Sequence, residues 1–326
     1  MQIFREPNFD FIRWRWHAIA LSGLVILGGA AALVARGGLP LGIDFSGGTI
    51  VIVQFPEPVA EEAVRTALAG VPGEKVVQTY GDPAEHQVLI RLPEITEAEE
   101  GTSLEQGAKR VLSALEQAQF GRFEVVSTEI VGPVIGGDLQ RKGIYATLAS
   151  MLGITIYIGL RFRPSFAVGA IAATFHDVFV TIAFLTFFGY ELSLNVVAAI
   201  LTITGYSVND TIVIFDRVRE NLRFMRRDSL DQVVNRSVNQ TLGRTVITAG
   251  TTFFAVLALF LFGGEVLEGF AFTMLVGIVS GTYSTVFIAA AIAILLSHRR
   301  AATRVQTGGA ELPARPRKSG GKARAS

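Results

Sequence analysis

The sequence predicts a polytopic α-helical membrane protein with six transmembrane helices and one extracytoplasmic α+β ferredoxin-like domain between helices 1 and 2. Half of its 326 residues are hydrophobic, only 17% are charged and the mean hydropathy is +0.45, which is unusual for a soluble protein. The hydrophobic residues also gather in six runs, each near the length of about 20 residues at which a helix spans a bilayer. These runs cover residues 18–35, 144–160, 166–188, 192–215, 246–262 and 270–296.

Positively charged residues indicate how the runs are oriented, because they occupy alternate connections. Arginines precede the first run, stand between the second and third, and number seven from Arg217 to Arg244 between the fourth and fifth. Eight further Lys and Arg follow Ser297, whereas residues 189–191 and 263–269 contain none. We therefore expect both termini on the cytoplasmic side. The first run is longer than the apolar core of a usual signal peptide, which favours a retained helix over a cleaved one.

The insert at residues 37–141 is predicted to be an extracytoplasmic domain. It is acidic, with 16 Asp and Glu against 6 Lys and Arg between residues 37 and 140, as suits a translocated segment. Its apolar patterns predict strands at 49–55, 75–80, 87–92 and 123–131, and helices after Pro58 and after about Ser103. The order β, α, β, β, α, β is the split ferredoxin-like pattern. The chain has no cysteine, so no disulfide framework is expected.

Three further segments complete the predicted organisation. Residues 1–36 hold the cytoplasmic N-terminus and helix 1, and residues 142–296 hold helices 2 to 6. Residues 297–326 are basic and rich in Gly and Pro, and are predicted to be a disordered cytoplasmic tail near anionic lipid or ribosomal RNA. The glycines and the proline that flank the outer domain are interpreted as hinges or, equally, as ordinary turn residues. They are Gly47, Gly48, Gly132, Pro133, Gly136 and Gly137.

Several polar residues lie inside the apolar runs, where such side chains are rare and usually face a bundle interior or a water path. On a helix, Tyr206, Ser207 and Asp210 share one face. Arg244 and Thr248 begin a similar polar stripe in the fifth run. Two facing stripes predict a hydrated seam between helices 4 and 5. The full set is His176, Asp177, Tyr206, Ser207, Asn209, Asp210, Arg244 and Thr248.

Asp210 and Arg244 are the first candidates for proton coupling. Asp210 lies about six residues inside the inner membrane boundary, hence roughly 9 Å deep, and the long Arg244 side chain reaches inward from that boundary. Burial favours a neutral carboxyl and a nearby guanidinium favours a charged one, so a shift of the arginine would load or unload a proton. His176 and Asp177 are a second candidate proton relay. For both acids, the alternative is a hydrogen-bonded contact that holds helices together. The isolated histidines indicate no metal site, and no cofactor is expected.

Six sequence blocks, in this order, resemble the SecF family. They are LGIDFSGGTIVIVQF, VGPVIGGDL, HDV, LTITGYSVNDTIVIFDRVREN, VNQTLGRTVITAGTT and FGGEVLEGF, and the resemblance covers nearly the whole chain, from about residue 10 to 296. The resemblance implies membership of the resistance, nodulation and division superfamily, in which a six-helix half pairs with a second half. It also implies that proton coupling is carried by Asp210, in the ND pair, and by Arg244, in the TL-x-RT block.

The same resemblance implies a function in protein export. A SecF-like subunit would pair with SecD in the bacterial inner membrane and would use the proton-motive force to promote export of preproteins. The preproteins would emerge from the SecYEG channel, driven by the ATPase SecA. YajC and YidC are further expected partners, the lipid bilayer surrounds the helices, and no specific nucleic acid is expected.

Three other functions stay open from the sequence. A passive scaffold of the translocon would use its buried polar groups only to hold SecD. A small-molecule proton-coupled pump of the same superfamily is disfavoured by the small outer domain. An intramembrane aspartyl protease could use Asp177 and Asp210, but the chain has SVND at Asp210 where such enzymes carry a glycine-rich GxGD.

Overall fold

The computed structural model describes residues 7–71, 75–92, 102–118 and 120–308. In this part of the chain, six helical segments are long and apolar enough to cross a membrane, as predicted. These spans are Ile12–Ala35, Val134–Arg161, Pro164–Phe188, Leu194–Phe224, Leu230–Phe262 and Val266–Arg299. The α-helices are α1 (Arg15–Ala35), α2 (Ile43–Ser46), α3 (Glu61–Ala67), α4 (Thr102–Gln117), α5 (Pro133–Arg161), α6 (Pro164–Phe188), α7 (Leu194–Phe224), α8 (Leu230–Phe262), α9 (Glu265–Ser284) and α10 (Ala290–Gly308). The strands are β1 (Gly48–Gln54), β2 (Val76–Tyr80), β3 (Gln87–Leu92) and β4 (Glu124–Val131).

Helices α6, α7 and α9 form the centre of the membrane layer, while α1, α5 and α8 lie at its periphery with most of their surface exposed. Helices α7 and α9 approach closely because glycines of α9 face side chains of α7. A Cβ atom on Gly277 would collide with Ile203, and one on Gly281 would lie 2.9 Å from the Cβ of Ser207. The sequence GIVSG places Gly277 and Gly281 four residues apart, a spacing that predicts a close-packing face of a membrane helix. A π-helical turn at Thr285–Ala289 joins α9 to α10.

The segment before α1 is bound to the N-terminal part of α8 by two asparagines one turn apart. Asn239 accepts a hydrogen bond from the Phe9 amide at 2.9 Å and donates one to the Phe9 carbonyl at 2.8 Å. Asn235 accepts a hydrogen bond from the Phe11 amide at 2.9 Å. Arg15 forms an ion pair with Asp231 at 3.0 Å next to this junction. These contacts tie the beginning of the chain to an element more than 200 residues later.

The outer domain contains the predicted order of elements. Its four strands are antiparallel neighbours in the order β2, β3, β1, β4, and β2 with β3 forms the predicted hairpin. Helices α3 and α4 contribute Val64, Val111 and Leu115 to a core against β1 and β3, where these side chains are fully buried. The arrangement is compatible with the split ferredoxin-like pattern.

Two boundaries differ from the sequence prediction. Helix α5 begins at Pro133 rather than after residue 141, so Gly136 and Gly137 lie in a helix instead of in a junction. Gly136 is needed there because a Cβ atom would lie 3.1 Å from the Phe45 carbonyl oxygen and 3.2 Å from the Gly47 nitrogen. At the other end, α10 continues to Gly308, so the first part of the predicted tail is helical. Residues 309–326 lie outside the described residues.

Glu61 ties α3 to the edge strand β2, which gives a prediction about acidification. Its carboxylate accepts hydrogen bonds from the backbone amide of Thr79 at 2.7 Å and from the Thr79 hydroxyl at 2.9 Å. These two bonds, the amide first, hold the pKa of Glu61 below its ordinary value of 4.5. The stabilisation is therefore present above that pH and is lost as the pH falls through the lowered pKa.

We expect Glu61→Ala to speed hydrogen exchange at the Thr79 amide at neutral pH, because the amide loses its acceptor. The difference in exchange rate between the variant and the unchanged protein should vanish in acid, because Glu61 is then protonated in the folded and the unfolded state alike. Hydrogen exchange of the full chain, read by mass spectrometry, measures this, with Glu62→Ala as the matched control. Equal exchange in both variants at neutral pH would contradict the prediction.

Candidate functional site

Helix α7 positions the central acid of the candidate site. It begins at Leu194, where the Ser193 hydroxyl accepts a hydrogen bond from the Val196 amide at 3.3 Å. From that cap it runs for 31 residues through the membrane layer. Because successive turns bring residues 3 and 4 apart to one side, Ser207 and Asp210 point into the bundle, where both are buried.

Asp210 is buried without a hydrogen-bonding partner for one of its oxygens. It is 5% exposed, and its Oδ2 atom has no donor within hydrogen-bond distance. Arg244 lies on the neighbouring helix α8, but no ion pair within 4.0 Å joins it to Asp210, and the Arg244 side chain is exposed. The structure thus places the two predicted residues on neighbouring helices without a direct ion pair. An isolated buried carboxyl of this kind is costly and marks a functional site by default.

Two further buried hydroxyls lie on the same pair of helices. The hydroxyl of Thr245, which follows Arg244 on α8, has no hydrogen-bond partner, whereas that of Tyr206, one turn before Asp210 on α7, interacts with Thr252 of α8. Thr248 does not cross the seam, because its hydroxyl donates to the Arg244 carbonyl of its own helix at 2.9 Å. Buried polar atoms without partners are rare in proteins.

Asp177 has the opposite environment, because four donors surround its carboxylate. Its Oδ1 accepts hydrogen bonds from His176 Nδ1 at 3.0 Å and from the Ser280 hydroxyl at 2.7 Å. Its Oδ2 accepts from the hydroxyls of Ser207 at 2.5 Å and Ser284 at 2.7 Å. These bonds use about all four lone-pair sites of an ionised carboxylate. Asp177 therefore joins α6, α7 and α9 at one point, which favours the interhelical contact over the relay.

The two serines of this junction were missed in the sequence. Ser280 and Ser284 are 6% and 0% exposed, and they lie one turn apart on α9. The available signal was the pair of small residues Gly277 and Gly281, which predicted close packing but no polar contact. Since Gly281 admits Ser207 of α7, the hydroxyls on both helices reach the same carboxylate.

His176 presents its second ring nitrogen without a partner. Nε2 is buried and unbonded, while the ring stacks on Tyr283 with 6.2 Å between centroids. His176 also lines a cavity of about 410 Å³ between α1, α6, α8 and α9, whose other walls are mostly apolar. It thus touches both the Asp177 junction and this cavity.

The remaining predicted residues lie on surfaces or at junctions. Asn209 is exposed on α7, on the opposite side from Ser207. Gly47, the residue before β1, and Gly48, the first residue of β1, have φ angles of +71° and +126°, which only glycine adopts readily. Gly132 is the residue before α5. At the outer end, the Tyr190 hydroxyl donates to Glu268 at 2.5 Å, and burial, reinforced by Glu268, raises the pKa of Tyr190.

A polar stripe inside the membrane layer is left uncovered by this chain. On α7 it consists of Thr202, Gly205 and Asn209, and on α8 of Arg244 and Thr251, all exposed. An arginine or asparagine that faces lipid at this depth is costly, so such residues almost always face protein or a water-filled path. The stripe therefore indicates that another protein element covers α7 and α8.

Comparisons with known proteins all show similarity to SecD and SecF proteins. The family model for the C-terminal part of SecD/SecF protein export membrane proteins matches residues 110–299, and the SecD/SecF GG motif matches residues 32–59. The protein translocase subunit SecF of Rhodothermus marinus is 43% identical over 93% of this chain and 98% of its own length. That of Escherichia coli is 39% identical over 90% of this chain and 89% of its own length.

Solved structures of SecDF have the same fold over most of the chain. The crystal structure of SecDF from Thermus thermophilus superposes with a TM-score of 0.78 at 35% identity and covers 90% of this chain. A second structure, of SecDF in a super-membrane-facing form, gives a TM-score of 0.68 at 35% identity over 93% of this chain. This chain spans only 39% and 41% of those SecDF chains, so each contains a large part with no counterpart here.

Proposed function

Because the chain belongs to the SecD/SecF family of protein export membrane proteins, we propose that it acts as a SecF subunit that pairs with SecD and couples the proton-motive force to preprotein export. Its substrates are then preproteins that leave the Sec translocon, with SecYEG and SecA as the further partners. The chain is a multi-pass protein of the bacterial inner membrane, with both termini in the cytoplasm and residues 37–141 outside.

The observation that supports the pairing most directly is the uncovered polar stripe on α7 and α8. Arg244 and Asn209 cannot face lipid at low cost, so a partner of the same membrane depth covers them. A second six-helix half has the shape for this, and the related SecDF chains are more than twice as long as this chain. The stripe lies beside Asp210, so the partner would also close the path along which protons reach it.

The environment of Asp210 supports proton coupling. A carboxyl that is buried, lacks a donor on Oδ2 and has an exposed arginine on the neighbouring helix changes charge at lower cost than one fixed by four donors. One charge that crosses about 100 mV supplies about 2.3 kcal/mol, which biases a conformational equilibrium but is small beside the free energy of unfolding. The protein would therefore hold or ratchet an emerging preprotein rather than pull it by force.

The structure disfavours the protease alternative for the same acids. An aspartyl protease needs two carboxyls that share one water molecule, whereas both oxygens of Asp177 are occupied by four protein donors. The passive scaffold stays a testable competitor, because it predicts pairing with SecD without any dependence on protons.

The proposal is tested in inverted membrane vesicles from cells depleted of their own SecF. The vesicles contain SecD matched to this chain, with or without the chain, and are supplied with SecA, ATP and a preprotein arrested late in translocation. We expect the chain to accelerate completion only while a proton gradient is present. If a protonophore leaves this acceleration unchanged, the chain is a scaffold, and if the chain has no effect, the export function is wrong.

A further inference from the structure

The connection between α6 and α7 is joined to the segment that leads into the outer domain. The Leu192 amide donates to the Pro40 carbonyl at 2.8 Å, and the Gly42 amide donates to the Leu192 carbonyl at 2.8 Å. These two bonds form a short parallel bridge between Leu41 and Leu192. Gly42 allows the close approach, since a Cβ atom there would lie 3.2 Å from the Leu192 carbonyl oxygen.

Asp44 extends this connection to α7 itself. Its Oδ2 atom accepts a hydrogen bond at 2.9 Å from the amide of Leu194, the first residue of α7. A carboxylate at a helix N-terminus also interacts favourably with the helix dipole. Asp44 therefore caps α7 from outside, in addition to the Ser193 hydroxyl at the same end.

Arg91 connects the sheet of the outer domain to the same place. From β3 its guanidinium donates to Glu191 at 2.6 Å, to the Leu41 carbonyl at 2.7 Å and to the Ser46 hydroxyl at 2.9 Å. The Arg91 side chain is only 14% exposed, so this is not an ordinary surface ion pair. Three partners fix the planar guanidinium in one orientation.

Residues 41–47 are also closely packed on the side that faces α5. Phe45 and Gly47 pack directly against the first turns of α5 at Gly136, where not even a methyl group fits without a shift. Residues 41–47 are thus held between α5 and the α6–α7 connection, and they lead without a flexible linker into β1. A displacement of the outer end of α7 would be passed to the sheet.

Helix α7 spans the distance between this junction and Asp210. From Leu194 to Asp210 the helix rises about 24 Å at 1.5 Å per residue. The structure therefore connects the candidate proton site to the outer domain through one rigid helix and one set of named contacts.

We propose that Asp44 and Arg91 are positioning residues that transmit the movement of α7 to the outer domain. This inference rests on the proposed function, because it assumes that a change at Asp210 moves α7. It differs from a hinge at the flanking glycines, because the contacts of Asp44 and Arg91 must stay formed while α7 moves.

The first test uses the fact that the chain has no cysteine. We expect Arg91→Ala to remove the gradient-dependent acceleration of export, whereas Arg65→Ala, a change at an exposed arginine of the same domain, leaves it intact. Adding the pair Leu41→Cys and Leu192→Cys to Arg91→Ala should restore export when the disulfide forms, and a reductant should remove it again. Opposed bridge residues lie near the Cα separation of about 4.4–6.8 Å that a disulfide needs.

The second test reads the transmission without export. Spin labels on cysteines at exposed positions Gln117 and Phe262 report the distance between the outer domain and the outer end of α8. Asp210→Asn should change this distance distribution while Arg91 is present, and should change nothing in the presence of Arg91→Ala. A structural role alone would shift both distributions equally.

The outcomes separate the two proposals. If Asp210→Asn stalls export while Arg91→Ala exports normally, the inference is overturned and the proposed function stands. If Arg91→Ala stalls export but the disulfide does not restore it, or the labels respond to Asp210→Asn equally with and without Arg91, the inference is also overturned. If Asp210→Asn exports normally, the proposed proton coupling itself fails.

Discussion

Replacing Asp210 by asparagine is expected to abolish the gradient-dependent part of export while leaving the fold intact. Asparagine has the same shape as aspartate but cannot bind or release a proton. Since Oδ2 of Asp210 has no partner in the structure, the substitution removes no bond to that atom. We therefore expect the free energy of unfolding to change by less than about 1 kcal/mol.

The measurement compares variants at equal abundance in depleted membranes that contain the matched SecD. Asp216→Asn is the control, because it makes the same chemical change near the inner end of the same helix, in a half-exposed ion pair with Arg161. Such pairs contribute little, so Asp216→Asn should export normally. Normal export by Asp210→Asn, with SecD still bound, would show that the acid is a structural contact and not a proton carrier.

Replacing Asp177 by alanine is expected to lower the stability of the fold strongly, in contrast to the replacement of Asp210 by asparagine. The change removes the acceptor of Ser207, Ser280 and Ser284 at once. Buried donors without acceptors cost about 1–3 kcal/mol each, although hydrogen bonds between membrane helices are often worth less. We expect a loss on the order of 3 kcal/mol, because the serines can partly turn back to carbonyls of their own helices.

Reversible unfolding of the purified chain in mixed detergent micelles, followed by circular dichroism, measures this loss. Ser280→Ala is the graded comparison, since it removes one donor and leaves three for Asp177, so its effect should be far smaller. Were Asp177→Ala as stable as the unchanged chain but unable to support export, Asp177 would belong to the proton path after all.

Much of the fold follows from local patterns in the sequence. The six spans were predicted because about 20 apolar residues can cross a bilayer only as a helix. The strands of the outer domain were predicted because β1 is apolar on both faces and a Gly, Asp, Pro turn separates β2 from β3. The GPVIGG segment was interpreted as a hinge or a turn, whereas its residues from Pro133 form the first turns of α5, where the close approach of Phe45 requires the glycine at 136.

The candidate residues stand out in the sequence, but their contacts do not. Asp210 and Arg244 stood out because charged residues are costly inside apolar runs, which is a property of sequence alone. Their separation was not predictable, because depth along two helices does not fix the distance between them. Ser280 and Ser284 were missed because a serine in a helix usually bonds its own backbone, so its sequence gives no sign of a partner 103 or 107 residues away.

The attachment of the N-terminal segment has a consequence for the order of assembly during synthesis. The Ala18 carbonyl accepts a hydrogen bond from the Tyr283 hydroxyl, 265 residues later, and Phe9 is held by Asn239, 230 residues later. At about 5–20 residues per second, a ribosome needs about 10–50 s to make these partners after it has made the segment. The N-terminal part of α1 is thus made well before the residues that complete its contacts.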